Sequence, residues 1–284
     1  LVGVILALIF ALCIFGGSRQ ISRITEVLVP FMGIFYLAVA LFVTVTHYTL
    51  IPKMFSDIFS NAFDIRAIFG GFTGSCVMNG IKRGLFSNEA GVGSAPNAAA
   101  SAAVSHPVKQ GLVQMLSVFI DTILICSATA CLLLCSGVAP SEELKGMPWV
   151  QAAASESLGG FGTVFITVAL CLFAFTTLIG NFYYAEMGLK YLCGKTPGKA
   201  LLNLFRIIAA LIVLAGAVME FGLVWSTADV LMGFMALINL PVILLLGGTA
   251  IRCMKDYVRQ KKEGRNPVFK AADIGLKEKT DFWD

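Results

Sequence analysis

Charged side chains are scarce in this sequence. Only 13% of its residues are Asp, Glu, Lys or Arg, against about 25% in soluble domains. Hydrophobic residues make up 57%, and the mean hydropathy is +0.84. A soluble fold could not cover so apolar a chain with a polar surface, whereas positions that face lipid require apolar side chains. The composition therefore excludes an ordinary soluble domain and predicts an integral membrane protein.

The sequence also lacks the motifs of several function classes. It has no C-x-x-C pair, and Cys131 and Cys135 share a helix face without further metal ligands, so small buried apolar residues are the better interpretation. His47 and His106 are solitary in sequence. No phosphate-binding Gly-Lys-Ser/Thr motif, nucleic-acid motif or nucleophile–base pair occurs. We therefore expect no ATP-driven transport, no nucleic-acid partner, no organic cofactor and no enzymatic activity.

Long apolar segments are abundant instead. About 20 residues span the hydrocarbon core, and such segments must be helical to satisfy their backbone in lipid. Seven segments are candidates: Leu1–Phe15, Ile24–Tyr48, Ile68–Ala103, Gly111–Gly137, Phe161–Leu192, Leu201–Met219 and Ala228–Met254. The first is short and opens without a Met, so we expect the chain to be a fragment whose N-terminal helices are missing. Residues 1–254 would form the transmembrane core, and residues 255–284 a partly disordered cytoplasmic tail.

Basic loops alternate with neutral or acidic loops along the chain. Arg19 and Arg23 follow the first segment, Glu142 and Glu143 make a later loop acidic, and the tail from Arg252 is basic. Since cytoplasmic loops carry excess Lys and Arg, the first loop and the C-terminus should be cytoplasmic. Residues 52–63 and 141–158 would then be outer segments, the second with room for a short helix. A multi-pass protein of a bacterial-type cytoplasmic membrane is predicted.

Glycines interrupt the third segment at Gly70, Gly71 and Gly74. Glycine weakens a helix, and in transporters broken helices place free backbone groups at the bilayer midplane, where they bind carboxylates and cations. Small residues at this spacing also allow tight helix packing. The residues alone favour neither interpretation.

Polar and charged side chains lie in two further places. In the run Lys82–Ala98, Arg83 and Glu89 could form an inner gate pair, although two interfacial charges facing water are the commoner arrangement. Asp121 lies about ten residues into the fourth segment, so it should be near mid-depth. A charge there is costly; a functional role and a structural role are about equally expected, and Asp121 would suit proton coupling if sodium were not the coupling ion.

Adjacent hydroxyls occur in the fifth segment at Thr176 and Thr177, followed by Asn181. Their neutral oxygens could hold a hard cation such as sodium. Threonines in membrane helices more commonly bond back to a carbonyl one turn earlier, and the residues alone favour this alternative.

One run carries a specific likeness. Lys82–Gly91, reading KRGLFSNEAG, together with Gly93–Pro96, reading GSAP, resembles the signature of the sodium:alanine (alanine or glycine:cation) symporter family. The likeness extends in order along nearly the whole chain, through Val29–Met32, Phe119–Thr122, Phe173–Thr177, Leu231–Met232 and Asn239–Leu240.

This resemblance implies an all-α, leucine-transporter-like bundle of inverted repeats, present here in part with about seven transmembrane helices. It implies sodium-coupled symport of a small neutral amino acid, alanine or glycine, and it favours sodium binding by Thr176 and Thr177 over the structural alternative. The broken helix would bind substrate through Gly70, Gly71, Phe72, Thr73 and Gly74. We expect gating or conformational coupling to involve Arg83, Asn88, Glu89, Asp121 and Asn181. A proton-coupled carrier using Asp121 is the alternative, and a membrane-embedded enzyme or channel is less favoured.

Overall fold

The structure is a computed structural model that describes residues 2–16, 18–62, 72–141, 144, 146–194, 197–276, 280 and 283. Side chains are described for these residues apart from 2, 18–25, 61 and 72–79.

Helices account for most of the described chain, and no strand occurs in it. The α-helices are α1 (Val2–Phe15), α2 (Ser18–Thr46), α3 (Ile51–Ala62), α4 (Phe72–Ser87), α5 (Ala95–Ala99), α6 (Pro107–Phe119), α7 (Cys126–Cys135), α8 (Met147–Leu158), α9 (Gly160–Leu192), α10 (Lys199–Val218) and α11 (Phe221–Lys262). A π-helical stretch, Ile120–Ile125, joins α6 to α7, and 3-10 turns form at Tyr48–Leu50 and Ala271–Ile274.

Within the described residues, five helical stretches are long and apolar enough to cross a membrane: Glu26–Thr46, Pro107–Cys135, Gly160–Leu192, Lys199–Val218 and Phe221–Lys262. The predicted all-α membrane protein is thus confirmed, and these five match five of the seven predicted segments. The inverted-repeat relation stays a prediction.

Of the other two predicted segments, the first is short, as expected, and the third differs from expectation. α1 has only 14 residues, about 21 Å at 1.5 Å per residue, and the hydrocarbon core is about 30 Å thick. The segment Ile68–Ala103 is not one continuous helix, because α4 ends at Ser87 and only the five residues of α5 are helical beyond it. The polar and glycine-rich composition of residues 87–94 explains why the helix stops there.

Two compact units make up the chain. The larger unit comprises Leu1–Arg83 and Asp121–Phe221, and the smaller unit comprises Gly84–Ile120 and Gly222–Asp284. This division does not fall at residue 254, and the predicted boundary between transmembrane core and cytoplasmic tail stays a prediction.

Aromatic and small apolar side chains form the core of the larger unit. One cluster joins α2, α7, α8 and α9 and is centred on Ala40, Leu132 and Ile166, which are almost fully buried. The hydroxyl of Tyr36 lies 2.7 Å from that of Thr129, so the polar ends of these two side chains satisfy each other. A second cluster joins α1, α9 and α10.

In the smaller unit, the C-terminal tail folds back along α11. Val268 exchanges two hydrogen bonds of 2.9 Å with the Gln260 side chain, and the Ile274 carbonyl accepts a bond from Arg252. Phe269 and Ile274 are buried beside Cys253. Apolar side chains spaced along a polar sequence thus pack residues 265–276 against the helix, and the expectation of a partly disordered tail stays a prediction.

Candidate coupling-ion residues and the signature loop

α9 presents a small and polar face that the described residues leave uncovered. Thr177 and Asn181 are both exposed and lie one turn apart, and Ala174 and Ala185 continue the same face. Thr176 lies away from this face: it is buried, and its hydroxyl donates to the carbonyl oxygens of Leu172 and Phe173 at 3.0 Å.

Thr176 therefore makes the intrahelical bond that was the alternative to cation binding. Its hydroxyl oxygen still has acceptor capacity, and Thr177 offers a hydroxyl at the uncovered face. Cation binding by either residue stays a prediction. Among the described residues, no group of three His, Cys, Asp or Glu side chains is placed to hold a metal ion.

Asp121 lies at the midpoint of its apolar stretch, with 14 residues on each side within Pro107–Cys135. The helix widens there to a π-helical stretch, Ile120–Ile125. π-bulges occur frequently at functional sites because they change the direction of side chains and loosen the backbone hydrogen bonding. The predicted mid-depth position thus coincides with a local irregularity of the helix, and the role of Asp121 stays open.

The structure describes only some of the predicted substrate-binding residues, and those only in their backbone. Gly70 and Gly71 lie outside the described residues. Phe72, Thr73 and Gly74 form the first turn of α4, where only their backbone is described.

The signature run folds into a tight loop after α4, which we call the signature loop (residues 88–94). Glu89 has a positive φ of 59°. Among the described residues it is the only non-glycine residue with a positive φ. Its carboxylate accepts a hydrogen bond from the Ser94 hydroxyl at 2.9 Å, and the Asn88 side chain accepts one from the Ala90 amide at 3.1 Å. Glu89 is thus bound within its own loop, and its predicted gate pairing with the exposed Arg83 stays a prediction.

Asn239 of α11 holds this loop in place. Its side-chain amide donates to the carbonyl oxygens of Ala90 and Gly91, both at 2.9 Å. Gly93, with φ +80°, packs so closely that a Cβ atom there would lie 2.4 Å from Cγ of Asn239. The resemblance marked Asn239 as a matching position; only the structure identifies it as the clamp of the signature loop.

A buried polar cluster at His106 was not predicted. Nδ1 of His106 accepts from the Val108 amide and caps α6, while Nε2 lies 3.3 Å from Oδ2 of Asp256 on α11. These contacts fix a neutral imidazole with its proton on Nε2. Gln260 also donates to Asp256, at 2.7 Å. Sequence spacing could not reveal this partner, because 150 residues separate His106 from Asp256.

The pKa of His106 should make stability depend on pH. Burial lowers its pKa from the ordinary 6.5 and outweighs the opposing effect of Asp256, while Lys109 lowers it further. The unfolded chain then binds more protons than the folded one below about pH 6.5, so this contribution to stability is complete above that pH and is lost as pH falls through the lowered pKa.

We expect the melting temperature to fall more steeply between about pH 7.5 and about pH 5.5 in the natural protein than in His106→Asn. Asn also caps helix N-termini but does not titrate. Thermal unfolding in detergent at both pH values measures the difference, and equal slopes would contradict the assignment.

Glu186 of α9 is a buried carboxylate, only 3% exposed. Its Oε1 lies 2.7 Å from Nζ of Lys190, and its Oε2 lies 3.8 Å from Nη2 of Arg206 on α10. The Arg206 guanidinium also lies over the ring of Phe15, 5.7 Å from its centre. Neither Oε2 of Glu186 nor Nε of Arg206 has a hydrogen-bond partner in the described part of the chain.

Comparisons with known proteins find similarity along most of the chain. Residues 1–271 match a family model described as the sodium:alanine symporter family. The "Amino-acid carrier protein AlsT" of Bacillus subtilis (strain 168) is 44% identical over 283 residues, which cover 100% of this chain and 60% of that protein. The "Probable sodium/glutamine symporter GlnT" of the same organism is 41% identical over 94% of this chain and 55% of its own length.

The name of a third relative includes a proton as well as sodium. The "Sodium/proton-dependent alanine carrier protein" of Bacillus sp. (strain PS3) is 37% identical over 99% of this chain and 66% of its own length. The chain thus spans 55–66% of the length of these three relatives.

Proposed function

Because the chain belongs to the sodium:alanine symporter family, we propose that its protein carries a small neutral amino acid, such as alanine or glycine, together with sodium ions by alternating access. The resemblance found in the signature run is confirmed, and the chain is a multi-pass membrane protein. The observation that carries the proposal is this family match over residues 1–271, joined to an uncovered polar face on α9.

The face of α9 supports a role for Thr177 in sodium binding. Sodium prefers oxygen ligands, and Thr177 and Asn181 present neutral oxygens one turn apart within a predominantly apolar helix. Thr176 is the second predicted ligand, since its hydroxyl donates to carbonyls of its own helix and its oxygen can still accept. The inward sodium gradient and the membrane potential supply the driving force, and the potential is worth about 2.3 kcal/mol per charge per 100 mV.

Thr177→Val should raise the sodium concentration for half-maximal alanine uptake by roughly 10-fold or more, because it replaces an oxygen ligand by a methyl group. Thr177→Ser keeps the hydroxyl and should change it little. Uptake by the full-length protein in proteoliposomes at varied sodium measures both. An unchanged sodium dependence in Thr177→Val would remove this residue from the site.

Substrate and ion need separate assays, since the relatives' names include glutamine as well as alanine and a proton as well as sodium. Competition of labelled alanine uptake by glycine and glutamine ranks the substrates. A pH gradient without sodium tests proton coupling: uptake there that is lost in Asp121→Asn would favour the proton-coupled alternative. Current or turnover without saturable amino-acid uptake would favour a channel or an enzyme.

We further propose that the C-terminus is cytoplasmic. Arg252, Lys255 and Arg259 follow the apolar part of α11 directly, as expected for a helix that leaves the membrane on the positive side. A cysteine reporter at the C-terminus that reacts with an impermeant reagent only after the cells are opened would agree with this orientation.

A further inference from the structure

The last three turns of α11 continue beyond its lipid-facing part. Leu244 and Leu245 are 81% and 82% exposed, as expected of side chains that face lipid. Helix α11 has 42 residues, about 63 Å, which is twice the thickness of a hydrocarbon core. We call residues 251–262 the exit segment.

Three kinds of side chain divide the circumference of the exit segment. At 100° per residue, the buried Asp256 and Gln260 lie on one side, toward the tail and His106. Next to this buried side is a row of exposed basic residues: Arg252, Lys255, Arg259 and Lys262. Beyond that row lies a stripe of exposed apolar residues, Ile251, Met254 and Val258, with Lys261 on its far flank.

An exposed apolar stripe between basic residues does not suit a helix in water. It suits the interface of a membrane, where apolar side chains enter the acyl boundary and long Lys and Arg chains extend to the phosphates. Asp256, the acidic residue of the exit segment, is buried and bonded to His106, Arg259 and Gln260, so it faces away from the apolar stripe.

The exit segment is held firmly rather than loosely. Gln260 is bonded in both directions to Val268, and Arg252 links the carbonyl of Ile274 to the Thr249 hydroxyl. The basic row therefore continues the lipid-facing surface of α11 at a fixed angle.

We propose that the exit segment binds the headgroups of anionic phospholipids at the surface where α11 leaves the membrane. The basic row pairs with headgroup phosphates, and Ile251, Met254 and Val258 lie against the upper acyl chains. This contact sets the depth of α11 and, through His106 and the tail, that of the start of α6. The binding does not depend on the transported substrate.

The test uses the full-length protein in detergent with phosphatidylglycerol or phosphatidylcholine added. Phosphatidylglycerol should raise the melting temperature more than phosphatidylcholine does, because a ligand of the folded state stabilises it. The double variant Lys255→Gln/Lys262→Gln should bind phosphatidylglycerol about 30-fold more weakly, which corresponds to about 1 kcal/mol for each basic residue removed. The matched control Lys53→Gln/Lys199→Gln removes the same charge from exposed positions elsewhere and should keep the full response.

Further measurements test whether the stabilisation requires the whole lipid and whether it depends on the exit segment. Glycerol phosphate, which carries the headgroup charge without acyl chains, should not reproduce the stabilisation; if it does, the site recognises phosphate alone and the lipid proposal is wrong. An equal response in the exit-segment variant and the control would also overturn it. Val258→Glu provides a second variant, since it places a carboxylate in the apolar stripe and should lower the response without removing a basic residue.

Discussion

Gly93→Ala is expected to lower the stability of the protein by about 3 kcal/mol, of which the positive φ contributes about 1–2 kcal/mol. The rest comes from Asn239, because the new Cβ would lie 2.4 Å from its Cγ and 2.5 Å from its Oδ1. Asn239 can move aside only by breaking its bonds to the carbonyls of Ala90 and Gly91, each worth about 1 kcal/mol. The melting temperature should fall by roughly 5–10 °C.

A double-mutant cycle separates the two causes. Asn239→Ala alone loses both hydrogen bonds and should cost about 2 kcal/mol. In Gly93→Ala/Asn239→Ala the clash is absent, so the combined loss should be about 1–2 kcal/mol less than the sum of the single losses. Gly233→Ala is the matched control on α11, since beyond the adjacent helix backbone nothing lies within 4 Å of the Cβ that it adds. Strict additivity would show that Asn239 and Gly93 do not act together.

Most of this architecture can be predicted from the sequence, because every segment that crosses the lipid must be apolar, helical and about 20 residues long. Five of the seven predicted segments are helices of sufficient length. The short helix expected between residues 141 and 158 occurs as Met147–Leu158. The prediction is wrong where polar residues interrupt the hydrophobic pattern. Hydropathy predicts that the third segment continues to Ala103, but its helix ends at Ser87, where the signature loop follows.

The polar contacts could not be predicted in the same way. Asn239 and His106 act through partners about 150 residues away, and no local spacing records such a pairing. Thr176 and Thr177 are adjacent in sequence, yet a helix turns by 100° per residue, so one is buried and the other exposed. The packing of the tail likewise depends on a few apolar residues within a polar stretch, such as Phe269 and Ile274.

Glu186→Gln is expected to cost about 3 kcal/mol, because it removes the shared counter-charge of Lys190 and Arg206. The lost group is 3% exposed and lies at the end of an apolar cluster that includes Phe182. Water can therefore replace little of what the carboxylate provides. Glu156→Gln removes an exposed carboxylate from the same unit and should change stability by less than about 0.5 kcal/mol.

The geometry also predicts that the ion pair of Glu186 and Arg206 is not optimised for stability. One carboxylate oxygen of Glu186 and Nε of Arg206 lack hydrogen-bond partners in the described structure, so part of the cost of burying both charges is not recovered. Glu186→Met/Arg206→Met should therefore be markedly more stable than Glu186→Gln, even though it removes more of the natural side chains. Thermal unfolding in detergent of the natural protein, Glu186→Gln, Glu156→Gln and the double Met variant gives the comparison. If the double variant were as unstable as Glu186→Gln, the ion pair itself would stabilise the junction of α9 and α10.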